Sequence, residues 1–82
     1  MTQDEKIALS LEAERLLTDD TVKRALDDMR LVAIAALLNT KAEDTAEIIR
    51  WQSYVGAIDA FRGQLGVYVT QGKPQMTRGS VA

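Results

Sequence analysis

The segment that starts near residue 41 carries apolar side chains on two opposite sides of a helix, and this limits what the chain can fold into. At 100° per residue, Trp51, Tyr54, Val55, Ile58, Phe61, Leu65, Tyr68 and Val69 gather on one broad, bulky face. On the far side Ile49, Gly56, Ala60, Gly63 and Val67 form a thin stripe of mostly small residues. One antiparallel neighbour covers one face, so two apolar faces call for a second neighbour. In a chain of 82 residues that neighbour is expected to be another copy. Such a chain buries only about 60% of its unfolded surface, so a second source of burial is physically useful.

Three helices are expected, and no strand. Thr2 and Glu5 have capping-box spacing ahead of an apolar run, which predicts a first helix over residues 3–17. Leu9, Ala13, Leu16 and Leu17 share one of its sides, with Ile7 and Leu11 on another. The sequence Thr18-Asp19-Asp20-Thr21 is a break of N-cap residue types, with acids at the positive dipole end of a second helix over residues 20–38. There Val22, Ala25, Met29, Val32 and Ala36 repeat in 3-4 spacing, with Leu26, Ala33 and Leu37 alongside. Leu31, Ile34 and Leu38 add an apolar patch on the opposite side of the last two turns.

Asn39-Thr40 makes a tight link, and Thr40 with Glu43 has capping-box spacing for the third helix. No proline precedes Pro74, so that helix is expected to run over residues 41–70. Gly72 and Pro74 read as stop signals, leaving residues 71–82 as a flexible tail after a single helical domain over residues 1–70. The short link makes helices two and three an antiparallel hairpin. The expected fold is therefore all-α: a helical hairpin with an additional N-terminal helix, oligomeric in solution.

Composition narrows the chemistry. There is no cysteine and no histidine, which removes disulfides, thiolate and imidazole metal sites, and Ser-His-Asp or Cys-His machinery. Carboxylate and lysine chemistry remain, yet no spacing singles out a site, so no catalytic, cofactor or metal residue is assigned. Asp19 and Asp20 read as caps and Asp27 and Asp28 as solvated helix surface; no EF-hand spacing is present. A formal charge of −2 and scattered bases give no field for nucleic acid, and DNA recognition is not expected. The apolar run of residues 31–38 is far short of the roughly 20 needed to span a bilayer, and no signal peptide is apparent. The expected location is the cytoplasm.

The aromatic residues Trp51, Tyr54, Phe61 and Tyr68 all lie on the third helix. They read first as core against Leu26, Met29, Ala33 and Leu37, and second as a partner surface. Arg62 beside this seam either covers apolar surface and pairs at an edge, or pairs with an acid of a neighbouring chain. The candidate partner or oligomer interface is Leu31, Ile34, Leu38, Ile49, Trp51, Tyr54, Gly56, Ala60, Arg62, Gly63, Val67 and Tyr68.

The Thr18-Asp19-Asp20 opening, the segment of residues 57–65 and the Gly72-Lys73 ending give residues 18–73 a further feature. This stretch, about two-thirds of the chain, resembles small α-helical-hairpin proteins from the structural gene modules of tailed bacteriophages. The resemblance implies a virion or head-assembly accessory protein, located in the virion if phage-encoded, and carries over no functional residue. The expected function is a small non-enzymatic structural protein that oligomerises through helix faces and binds a larger protein assembly. The alternative is a phage-encoded regulatory binder that occludes a host protein.

Overall fold

A computed structural model describes residues 1–73, and within them the chain is all-helical: α1 Gln3–Thr18, α2 Asp20–Asn39 and α3 Thr45–Gly72. Thr2 caps α1 through the expected box, its hydroxyl accepting from the Glu5 amide while Glu5 accepts from the Thr2 amide. One residue, Asp19, separates α1 from α2. Its amide bonds back to the Leu16 carbonyl, and its carboxylate accepts from the Val22 amide at 2.9 Å. It therefore closes one helix and opens the next.

The start of α3 differs from the sequence reading. The Thr40 hydroxyl donates to the Ala36 carbonyl at 2.6 Å, so Thr40 ends α2 instead of opening α3. Asp44 is the N-cap, accepting from the Glu47 amide at 3.2 Å. A carboxylate at the positive end of a helix dipole caps more strongly than a hydroxyl already committed elsewhere. At the other end α3 runs through Gly72, two residues past the expected stop, and Gly72 is buried. The remainder of the expected tail, residues 74–82, lies outside the described residues.

Both shorter helices lie against α3. Arg30 pairs with Asp59 at 3.2 Å and Asp27 with Arg62 at 2.5 Å, so residues later in α2 meet residues earlier in α3. The Ser10 hydroxyl donates to the Val69 carbonyl at 2.9 Å, while Leu16 and Leu17 share a small recess with Arg62 and Leu65. By the same logic α1 runs counter to α3 along its C-terminal half. α1 and α2 thus follow one another along α3, with little contact between themselves. At 28 residues α3 is about 42 Å long, enough to serve both.

The core is thin. Among the described residues the buried apolar side chains are Ala13, Ala33, Ile58 and Leu65, and no large side chain is fully enclosed. Close backbone approach occurs where α1 crosses α3. A Cβ placed on Gly72 would lie 2.1 Å from the Ser10 Cβ and 2.6 Å from the Lys6 carbonyl oxygen. Small residues let the helices meet there, and the Ser10 hydroxyl is satisfied by the α3 backbone.

Candidate protein-interaction face

On α2, the side turned to α3 carries Val22, Leu26, Ala33 and Leu37, each buried or half-buried. Of the 3-4 repeat read from the sequence, Val22 and Ala36 are half-buried, but the other three members lie beside the seam. Ala25, Met29 and Val32 are exposed, Val32 at 61%. In this orientation Asp27–Arg62 and Arg30–Asp59 flank the other side of the seam. These partly exposed pairs each contribute at most about 1 kcal/mol, but they occur only when α2 presents that side.

The consequence is a pair of helices with two unlike faces. One is zipped by the two ion pairs. The other is apolar and open, and it holds a shallow recess of about 330 Å³ lined by Leu26, Met29, Tyr54, Ala57, Ile58 and Phe61. Phe61 is 50% exposed and Tyr54 is also exposed, so these two aromatics stand at the edges of the recess and do not close it. Trp51 is half-buried, its indole N–H donates to Glu47 at 3.1 Å, and its ring meets Tyr54 edge-on with centroids 5.6 Å apart. Arg50 lies over the Trp51 ring and also pairs with Glu47. Tyr68, one helical repeat further on, is half-buried. The aromatic stripe is therefore split between a packed part and an outward part.

The small-residue stripe lies on the side of α3 turned away from both other helices. Ile49, Gly56, Ala60, Gly63 and Val67 are all exposed, and a Cβ built on Gly56 or Gly63 meets nothing within 4 Å. Among the described residues no helix packs there. Leu31 and Leu38 are exposed as well, Leu38 at 82%, and Ile34 is half-buried beside a second recess with Asp27, Arg30 and Leu31.

Arg62 lines a small recess with Leu16, Leu17, Leu26 and Leu65, from all three helices, and its guanidinium donates to Asp27. This ion pair lies within the chain, so the acid of a neighbouring chain considered from the sequence is not required. Its Nε is buried without a partner, a cost of about 1–3 kcal/mol set against the packing of the stem. On the solvent side of α1, Glu12 and Arg15 form a salt bridge. The Arg15 hydrogen bond holds the Glu12 carboxyl below its ordinary pKa, and Glu12 raises that of Arg15.

Among the described residues, no three His, Cys, Asp or Glu side chains come together as a metal site, and no helix is long and apolar enough to cross a membrane. The sequence reading did not place Met29 and Val32 at the surface, left Phe61 out of the candidate interface, and missed Ser10 and Gly72 as the tight crossing. The charge complementarity of Asp27 and Arg30 with Arg62 and Asp59 was the available signal for the first three. No family model matches the chain, and comparison with curated proteins and with solved structures returns no significant match.

Proposed function

We propose that this chain is a small, non-enzymatic structural protein that associates through helix faces and attaches to a larger protein assembly. Its working unit is the α2–α3 pair, an antiparallel hairpin, with α1 laid along the far half of α3 as a brace. The observation that carries this reading is the open apolar face around Met29, Val32, Tyr54 and Phe61, opposite a face fixed by ion pairs. Contiguous exposed apolar surface on so small a chain marks an interaction site. The resemblance to phage structural proteins supplies a setting: a virion or head-assembly component, made in the cytoplasm and retained in the particle. No cofactor, metal or nucleic acid enters the reading.

A second reading, a regulatory binder that occludes a host protein, is favoured by the exposed Tyr54 and Phe61, since aromatic residues dominate interface hot spots. The test is mass measurement of the purified chain together with identification of what co-purifies from its native source. Recovery with particle proteins supports the structural role, whereas recovery with a single host enzyme supports the binder. A chain that is monomeric and recovered alone refutes both.

A further inference from the structure

We infer that the open face of the α2–α3 pair, lined by Met29, Val32, Tyr54, Ala57 and Phe61, is the site where a second copy of this chain docks. The inference rests on the assembly reading above and names the surface and its occupant. Two pairs meeting face to face form a four-helix bundle in which each copy contributes the same patch.

Three observations select a second copy. The first is area. Fully buried aromatics account for about 150–250 Å² each. With Phe61 half-exposed, Tyr54 and Met29 about two-fifths exposed, Val32 more so, and Ala25 and Ala57 beside them, the patch offers on the order of 400–500 Å² of apolar surface. That matches the apolar share of the roughly 800 Å² per partner that a specific interface buries.

The second observation is charge. Between Arg50 and Tyr68, α3 turns only Tyr54, Ala57, Phe61 and Gln64 toward this side, and α2 offers Ala25, Met29, Val32 and Ala36. The nearest charges are already answered within the chain, Arg50 by Glu47 and Asp28 by Arg24. No charged side chain stands within the strip itself, so a copy placed on it sets apolar surface against apolar surface. The third is the thin core: among the described residues four apolar side chains are buried, two of them alanine. Docking two copies would convert the recess of about 330 Å³ into core. Small chains commonly reach adequate burial by oligomerising.

The test is sedimentation equilibrium of the full chain across micromolar concentrations, with Val32→Glu, Phe61→Glu and, on the back of α3 about a third of a turn from Phe61, Val67→Glu. The wild type is expected at twice 9.0 kDa. Val32→Glu and Phe61→Glu should each weaken association at least about tenfold while helical circular dichroism persists, and Val67→Glu should leave it unchanged. Val32 is 61% exposed in the single chain, so its variant remains informative even if Phe61→Glu fails to fold. Dimers that survive both changes but dissociate with Val67→Glu or Gly56→Leu would overturn the inference and leave the assembly reading standing. A monomer at every concentration would also overturn it, and co-purification would then decide the broader reading separately. A monomer that dimerises only after removal of residues 74–82 would assign the face to that segment instead.

Discussion

Replacing Gly72 by alanine should destabilise the fold, although alanine is the best helix former and Gly72 lies in a helix. Helix propensity alone favours alanine by about 1 kcal/mol. Against this, the new methyl would stand 2.1 Å from the Ser10 Cβ and 2.6 Å from the Lys6 carbonyl oxygen. Neither atom is the end of a flexible side chain, so relief requires α1 to move off α3. Overpacking of this kind costs about 1–3 kcal/mol. The movement would also stretch the 2.9 Å bond from the Ser10 hydroxyl to the Val69 carbonyl, whose loss adds about 0.5–1.5 kcal/mol. The net expectation is a loss of about 1–3 kcal/mol, or a fall in Tm of several degrees at about 4–8 °C per kcal/mol for a domain of this size. Gly56→Ala and Gly63→Ala provide the matched controls. Both positions are helical and open, so each should raise Tm in dilute solution. Thermal unfolding followed by circular dichroism reads all three variants. If Gly72→Ala raises Tm as much as Gly56→Ala, α1 does not cross α3 at Ser10 and the description of the brace is wrong.

Two further outcomes follow from the caps and the surface charges. Asp44→Ala should cost about 0.5–2 kcal/mol in urea unfolding, and Glu43→Ala close to nothing, because the Glu47 amide bonds to Asp44; the reverse ranking would restore Thr40 and Glu43 as the α3 cap. Glu12 has a lowered pKa through Arg15, so its contribution is present above the unfolded carboxyl pKa and lost as pH falls through the lower folded value. Glu12→Gln should therefore be slightly less stable than wild type at neutral pH and indistinguishable from it in strong acid, and a gap that persists in acid would refute the assignment.

Helix number and most boundaries were legible in the sequence because they depend on local chemistry. The Thr2 and Glu5 box and the Asp19 cap act within one turn, and the structure forms both as the residue types require. The opening of α3 was misplaced because two candidate caps lie four residues apart, and spacing alone does not show that the Thr40 hydroxyl returns to Ala36. The direction in which α2 faces was not local at all. Met29 and Leu26 lie on adjoining sides of one helix and are almost equally apolar, so periodicity does not choose between them. The facing that the structure adopts pairs Asp27 and Arg30 with Arg62 and Asp59, which lie about thirty residues further along the chain.

The glycines of α3 show the same division between composition and use. Gly56, Ala60 and Gly63 form the small-residue stripe of α3, while the close helix approach within the described residues is at Gly72 against Ser10 and Lys6. Gly56 and Gly63 sit on the far side of the same helix and touch nothing. Apolar residues lie almost evenly around α3, so the sequence alone could not say which arc its own helices would cover. Two shorter helices following one another along a single long one cover one arc and leave the rest open. Leu31, Leu38 and Ile49 toward one end, Val67 on the back, and Met29, Val32, Tyr54 and Phe61 on the open face are among the described apolar residues left exposed. Phe61 and Met29 line one recess from adjoining helices, so one docking event buries both together. The back of α3 offers a single ridge without a second helix beside it, and a partner seated there would bury far less per residue ordered. That difference in cooperative burial makes the recessed face, and not the glycine stripe, the stronger seat for a partner.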